Sequence, residues 1–104
     1  MRRIRFLAEA AQEMEVGKTF YDRQQSGIGD YFWDSLLADI ESLLIHAGVH
    51  IQIEGHYRML SRRFPYAIYY QLSSEFITIT AVLPMRRSPK WLEKQFSSRG
   101  KPGS

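Results

Sequence analysis

Arginines beside aromatic residues are the side chains of this sequence best suited to chemistry. The stretch RRFPYAIYY, residues 62–70, holds two adjacent arginines, a proline and four aromatic residues, and a second pair, Arg86-Arg87, follows a β-branched stretch. A guanidinium group binds phosphates and carboxylates through a planar fork of N–H donors. The predicted chemistry is therefore recognition of an anion: a nucleic-acid phosphate, an acidic segment of a partner, or a carboxylate of the chain itself. A solvated basic rim without a ligand is the alternative interpretation.

The other residue types that carry chemistry do not form a recognisable site. The histidines have no carboxylates at metal-ligand spacing, so exposed loop residues are favoured over a metal site for His46, His50 and His56. No serine, threonine or glycine-rich stretch has the context of a catalytic nucleophile or a phosphate-binding loop. Asp34 and Asp39 are expected on the solvated side of a helix. The sequence predicts neither a metal nor a cofactor.

Length and composition fit one domain with an uneven distribution of charge. The chain has 104 residues, of which 44% are hydrophobic, and no cysteine, which excludes disulfides and thiolate metal sites. The formal net charge is +3, but from Gly55 to Lys90 only Glu75 opposes six arginines and lysines, so the second half presents a basic surface. No signal peptide and no membrane-spanning stretch are recognised, and the chain is expected to be cytoplasmic.

The elements that must position the arginines follow from changes in the hydrophobic period. A partial alternation predicts a strand over residues 2–7, and a period of three to four predicts helices over residues 8–25 and 28–47. Ser26-Gly27 separates the helices and offers a serine N-cap, while Gly48 ends the second helix. Helices joined by so short a connection are expected to form an antiparallel hairpin.

The period then changes to two, which predicts three further strands. They cover residues 57–62, 66–72 and 76–84, separated by turns at residues 63–65 and 73–75. Residues 85–96 begin as a loop and close with a helical turn, and residues 97–104 are expected to be a disordered tail. The predicted fold is α+β in the order β-α-α-β-β-β, a single domain over residues 1–96. In it, the helical hairpin packs on one face of a small, mainly antiparallel sheet.

This fold brings the arginines to one edge of the sheet. Arg58, Leu60 and Arg62 alternate along one strand and are expected on the face away from the helices. If the last three strands form adjacent hairpins, Arg86 and Arg87 lie near the turn at residues 62–63. Guanidinium groups crowded at one edge repel one another unless an anion lies between them. The predicted anion-binding and target-binding surface is therefore Arg58, Arg62, Arg63, Arg86 and Arg87.

From residue 3 to about residue 92 the chain resembles the RelE/ParE superfamily, the toxins of bacterial type II toxin–antitoxin systems. The resemblance rests on Tyr21-Asp22, on Ile28-Gly29-Asp30-Tyr31-Phe32, on RRFPYAIYYQ and on AVLPMRRSPKWL, in this order. It implies a growth-inhibiting toxin, of the kind associated with plasmid stabilization, that a cognate antitoxin neutralises by wrapping its C-terminal segment over the surface. The two proteins are expected to form a hetero-oligomer. The expected antitoxin contacts are Phe32, Trp33, Leu37 and Arg62, with Phe32 and Trp33 partly exposed.

Two activities are known in the superfamily, and they belong to different classes. The RelE branch cleaves mRNA on the ribosome without a metal, and the ParE branch is a non-enzymatic binder that inhibits DNA gyrase. Arg58 and Arg87 match basic residues of the nuclease branch, whereas Leu60, Ala67 and Glu93 stand where that branch has a basic residue, an arginine and a tyrosine. The comparison favours the ParE branch, with an antitoxin-binding protein that has lost its activity as a further alternative. If the chain is a nuclease, the candidate catalytic residues are Arg58, Arg62, Arg87 and Tyr66.

Overall fold

The computed structural model describes residues 1–99, which form five strands and four helices. In chain order these are β1 (Arg3–Phe6), α1 (Ala8–Gln24), α2 (Ile28–Glu41), α3 (Leu43–His46), β2 (Gln52–Ile53), β3 (His56–Leu60), β4 (Tyr66–Leu72), β5 (Phe76–Pro84) and α4 (Pro89–Phe96). The predicted α+β class is confirmed, as are the opening strand, the helical pair and the three later strands.

The strands form one sheet in the order β1-β5-β4-β3-β2. β1 runs parallel to β5, and the remaining neighbours are antiparallel, so the sheet is mainly antiparallel as predicted. β2 occupies part of the segment that the sequence analysis assigned to a loop. It reverses into β3 through Glu54 and Gly55, whose φ angles are 53° and 79°.

The helical hairpin packs on one face of the sheet around Phe32. The Phe32 ring is fully buried and meets the rings of Tyr21, Phe64 and Tyr66 at centroid distances of 5.0, 5.1 and 4.9 Å. Gly17 of α1 permits this contact, because a Cβ at Gly17 would lie 2.6 Å from Phe32 Cζ. The glycine that weakens α1 as an isolated helix therefore lets α1 and α2 approach closely.

Asp22, rather than Ser26, stabilises the connection between α1 and α2. The N-cap of α2 is Gly27, which has a left-handed φ of 92° and no side-chain cap, so the predicted serine N-cap is wrong. The Gly29 amide donates a 2.7 Å hydrogen bond to Asp22 Oδ1. A Cβ at Gly29 would lie 2.4 Å from Asp22 Cγ, so this bond needs glycine at the second position of α2.

α4 covers the opposite face of the sheet, where the sequence analysis predicted only a helical turn. Its buried residues Leu92 and Phe96 form a second core cluster with β4 and β5 residues, namely Ala67, Tyr69, Ala81 and Leu83. The sheet therefore has helices on both faces.

Beyond α4, residues 97–99 form turns that end at a partly buried ion pair. Arg99 donates from Nη1 and Nη2 to the Glu13 carboxylate of α1, at 3.1 and 3.0 Å, and Nη1 also donates to the Thr80 carbonyl oxygen at 3.3 Å. Of the tail predicted over residues 97–104, residues 100–104 lie outside the described residues, and their disorder stays a prediction.

Candidate functional site

Two loops meet at one end of the sheet and carry four of the five predicted arginines. The β3–β4 turn contains Arg62 and Arg63, and the segment after β5 contains Arg86 and Arg87. Tyr66 and Pro84 are paired in the register of β4 and β5, and the Met85 amide donates a 3.0 Å hydrogen bond to the Pro65 carbonyl oxygen. We call this end, defined by Arg62, Arg63, Arg86 and Arg87, the basic end.

Asp39 of α2 fixes the turn that carries the first arginine pair. Its Oδ2 accepts hydrogen bonds from the Ser61 hydroxyl at 2.9 Å and from the Arg62 amide at 3.2 Å. Asp39 is only 7% exposed, so the expectation that it lies on the solvated side of the helix is wrong. Asp39 thus binds the backbone of Arg62, which is an exposed residue.

Aromatic rings, and not carboxylates, lie against two of the four guanidinium groups. Arg63 Nη1 donates a 2.7 Å hydrogen bond to the Tyr31 hydroxyl, and Arg87 Cζ lies 4.5 Å from the centroid of the Trp91 ring. Over residues 1–99 the ion pairs are Lys18–Asp30 and Arg99–Glu13, so no arginine of the basic end is paired with a carboxylate there. The hydrogen bond to Tyr31 occupies one terminal nitrogen of Arg63, whereas stacking on Trp91 orders the Arg87 guanidinium and leaves its N–H groups available.

Among the clefts that open at the basic end, two are lined by residues of the β3–β4 turn. The α2 cleft has a volume of about 490 Å³ and is lined by Tyr31, Asp34, Ser35, Ala38, Asp39, Arg62 and Arg63. The α1 cleft has a volume of about 270 Å³, is mostly apolar, and is lined by Val16, Phe20, Tyr21, Pro65, Tyr66, Pro84 and Arg86. The basic end therefore combines free positive charge with apolar surface.

Of the four nuclease candidates, Tyr66 lies near the basic end, where it lines the α1 cleft with Arg86, but Arg58 lies on the other face of the sheet. Arg58 pairs with Tyr69 and donates from Nε to the Tyr69 hydroxyl at 3.2 Å, on the sheet face opposite the hairpin. Tyr66 points to the hairpin face, where it packs against Phe32. Burial, followed by the neighbouring Tyr21, raises the pKa of the Tyr66 hydroxyl, while Arg87 acts in the opposite direction. The raised pKa favours the protonated form of the Tyr66 hydroxyl.

The residues predicted to contact an antitoxin are also divided. Phe32 is 0% exposed, so the prediction that it is partly exposed is wrong. Trp33 and Leu37 are partly exposed and lie one turn apart. With 3.6 residues per turn, they occupy the opposite flank of α2 from Tyr31 and the α2 cleft, into which Arg62 faces. The predicted antitoxin contacts therefore lie on two flanks of the hairpin, and their role stays a prediction.

Two exposed apolar residues of α1 were missed by the sequence analysis. Val16 and Phe20 are 62% and 53% exposed and line the α1 cleft beside Arg86. They stand four residues apart, outside the stripe of Ala10, Met14 and Gly17 that faces the core. This i, i+4 spacing on the outer side of a helix is the signal that could have identified them.

The histidines do not form a metal site in the part of the chain that the structure describes. His56 is 1% exposed, so the expectation of an exposed loop residue is wrong for it; His56 Nδ1 lies 2.8 Å from Thr80 Oγ1 and its ring stacks on Phe96. No group of three or more His, Cys, Asp or Glu residues within residues 1–99 could hold a metal ion.

Comparisons with known proteins were made for both the sequence and the fold. No family model and no curated protein matches the sequence. Among solved structures, one chain of a structure described as "Chromosomal ParDE TA system from P. aeruginosa" matches with a TM-score of 0.73, covering 81% of this chain and 96% of that chain. The two chains share a fold. Their sequences are 12% identical, so the likeness concerns the fold alone.

Within residues 1–99, no helix has the length and apolar character required to cross a membrane.

Proposed function

We propose that this protein is the toxin of a bacterial type II toxin–antitoxin system and that it acts in the cytoplasm as a ParE-like inhibitor of DNA gyrase. The observation that carries the proposal is the basic end, where two loops bring four exposed arginines to one end of the sheet, none of them paired with a carboxylate in residues 1–99. Such a cluster is stabilised by negative charge from another molecule. The fold shared with a chain of a ParDE system supports the same function.

The positions of the nuclease candidates favour binding over RNA cleavage. Cleavage through a 2′-hydroxyl requires a proton acceptor and cations within hydrogen-bond reach of the same phosphate. Arg58 and Tyr66 project to opposite faces of the sheet, and arginine itself is a poor base. Glu93, on an exposed position of α4, stands where the nuclease branch has a tyrosine. The basic end therefore acts as a binding surface rather than as a catalytic centre.

The cognate antitoxin is proposed to cover the α1 cleft and to form a hetero-oligomer with the toxin. An acidic, amphipathic segment would bury Val16 and Phe20 and place its carboxylates against Arg86 at the rim. To contact Trp33, Leu37 and Arg62 as well, the segment would need to pass around the hairpin. Trp33 and Leu37 lie on one flank of α2, and Arg62 faces the α2 cleft on the other flank. Charge complementarity of this kind mainly accelerates association and orients the partner.

A gyrase supercoiling assay tests the proposed target. The purified protein is expected to inhibit supercoiling, and the double variant R86Q/R87Q is expected to need at least about tenfold more protein, because each charge-assisted hydrogen bond contributes about 1.5–3 kcal/mol. The variant K90Q/K94Q removes the same charge from exposed positions of α4 and serves as the control.

The outcomes separate the three alternatives. Unaffected supercoiling in the presence of excess protein would exclude gyrase as the target. Mapping of mRNA ends after addition of the protein to translating ribosomes would then reveal an endonuclease. If both assays are silent but the product of the adjacent reading frame binds tightly, the chain is a toxin that has lost its activity.

A further inference from the structure

A second basic surface lies on β1 and at the start of β5, away from the basic end. Arg2, Arg3 and Arg5 are all exposed. In the parallel register Arg3 pairs with Phe76 and Arg5 with Thr78. Ile4 and Phe6 face the hairpin core, so the alternation of a strand directs Arg3 and Arg5 to the opposite face.

Contacts within the chain hold these arginines in extended, outward positions. Arg5 Cζ lies 4.1 Å and Arg3 Cζ 5.4 Å from the centroid of the Phe76 ring. Arg5 Nε donates to Thr78 Oγ1 at 2.9 Å, and Arg2 Nε donates to the Ser73 carbonyl oxygen at 2.9 Å. Both hydrogen bonds use Nε, so the terminal nitrogens of Arg2 and Arg5 have no partner within residues 1–99.

No carboxylate within the described residues neutralises this surface. Glu75 is next to Phe76 in the sequence, but its carboxylate forms no ion pair with Arg2, Arg3 or Arg5, since the ion pairs of residues 1–99 are Lys18–Asp30 and Arg99–Glu13. Three ordered, unpaired guanidinium groups on four consecutive positions are unfavourable without an external anion.

The surface is separate from the basic end. β5 runs from Phe76 to Pro84, and at about 3.4 Å per residue its ends are about 27 Å apart. Arg2 and Arg3 lie at the first end, beside the β4–β5 turn, whereas Arg86 and Arg87 follow the second end.

Charge on an edge strand also discourages the addition of another strand, and β1 is an edge strand. That role needs only a charged side chain. Protection of an edge strand does not explain why Arg2 and Arg5 form hydrogen bonds through Nε, or why Arg3 and Arg5 share the Phe76 ring. These contacts hold the guanidinium groups in place and leave terminal nitrogens free.

The composition of the surface favours nucleic acid over an acidic peptide. Apart from Met1, the exposed large hydrophobic residues of the described chain lie on α1, α2, α3, the loops and the end of β3, so a peptide would find little apolar surface here beyond Met1 and the partly covered Phe76 ring. Exposed ion pairs alone contribute only about 0–1 kcal/mol each, which is too little to hold a peptide. A nucleic acid, in contrast, gains affinity from phosphate contacts alone through release of its counterions.

We propose that Arg2, Arg3 and Arg5, ordered by Phe76, Thr78 and Ser73, form a binding site for the sugar–phosphate backbone of nucleic acid. Arg3 and Arg5 are two residues apart on one face, about 7 Å, and meet successive phosphates of one strand. The proposed site does not depend on the toxin function. It would bind the charged backbone without selecting a base sequence.

The test is fluorescence anisotropy of the full chain with two labelled probes, a short single-stranded RNA and a short DNA duplex, between about 50 and 200 mM salt. R3Q/R5Q is expected to lower the affinity roughly tenfold at the lowest salt. It is also expected to reduce the slope of log K against log salt by about 1.4 for the single strand or 1.8 for the duplex, the values for two phosphates. The probe whose affinity falls more in R3Q/R5Q at the lowest salt identifies the form of nucleic acid bound.

Matched variants distinguish a site from an effect of net charge. K90Q/K94Q, with the same charge loss, is expected to change the affinity less than about twofold, and R3K/R5K, which keeps the charges, is expected to retain the salt slope. Circular dichroism and thermal melting confirm that each variant is folded. Equal losses of nucleic-acid affinity in R3Q/R5Q and K90Q/K94Q would overturn the proposal. It would also be overturned if R3Q/R5Q lost binding to poly-glutamate but kept its binding to nucleic acid.

Discussion

Asp39 accepts hydrogen bonds from the Ser61 hydroxyl and the Arg62 amide while it is almost fully buried. We expect D39A to lower the free energy of unfolding by about 1–3 kcal/mol, because it removes the acceptor of the partly buried Ser61 hydroxyl and Arg62 amide and releases the β3–β4 turn. Urea denaturation measures this. D34A, at an exposed position that lines the same cleft, is the matched control, with an expected change within about 0.5 kcal/mol. Equal losses in both variants would show that Asp39 does not anchor the turn.

Single residues also show what the sequence can and cannot predict. The turn chemistry around Pro65 and the length of β5 are local signals, and they correctly place Arg62, Arg63, Arg86 and Arg87 at one end of the sheet. Their function stays a prediction. The exposures of Phe32, Asp39 and His56 were mispredicted, because each is covered by a segment distant in sequence. Periodicity identifies which residues share a side, but not what packs against that side.

Among the elements, those with strong local signals were predicted best. β4 and β5 have the predicted bounds, since β-branched and aromatic residues fill them and Pro65 and Ser73 mark their limits. β2 has two residues, too few for a detectable period. α4 depends on contacts with the second face of the sheet. Its one local signal is Ser88 followed by Pro89 in the first turn, where Ser88 Oγ accepts a hydrogen bond from the Trp91 amide.

The ion pair between Arg99 and Glu13 joins the end of the described chain to α1, 86 residues earlier. We expect R99A to lower the free energy of unfolding by about 1–3 kcal/mol, because it leaves the largely buried Glu13 carboxylate without its cation. The Val82 amide would then be the remaining hydrogen-bond donor to that carboxylate. The value is below that of a fully buried pair, since the side chains retain 9% and 20% exposure.

Chemical denaturation of R99A, E13Q and the double variant measures the coupling between the two side chains. K94A, at an exposed position of α4, is the control and is expected to change the stability by less than about 0.5 kcal/mol. If the losses in R99A and E13Q simply add in the double variant, the ion pair does not couple the end of the described chain to α1.

For the whole molecule, the net charge of +3 conceals two separate concentrations of arginine, one at each end of β5. The sequence analysis located the basic end because the arginines of the second half have few acidic neighbours in the sequence. It overlooked Arg2, Arg3 and Arg5, because acidic residues follow them in α1. The parallel register of β1 with β5 turns those arginines away from α1, and that register is a tertiary feature.

The stability of the whole chain is expected to decrease at acidic pH through His56. Burial, and then the proximity of Arg99, lowers the pKa of His56 below its ordinary value of 6.5. The unfolded chain therefore binds a proton more readily than the folded chain, so stability is complete above about pH 6.5 and declines as the pH falls toward the folded pKa. The slope from one such group is at most about 1.4 kcal/mol per pH unit.

Thermal or urea unfolding between about pH 7.5 and 5, which spans the ordinary histidine pKa of 6.5, measures this dependence. H56Q is expected to reduce the slope, whatever its effect on absolute stability, because glutamine does not titrate. His50 also has a lowered pKa, from burial and then from His46, and contributes in the same direction, so part of the slope remains in H56Q. H46Q, at an exposed position, is the control and is expected to keep most of the wild-type slope. If the stability of H56Q depends on pH in the same way as that of the wild type, protonation of His56 does not limit the acid stability of the fold. The stacking of Phe96 of α4 on His56 would then tolerate a charged imidazole.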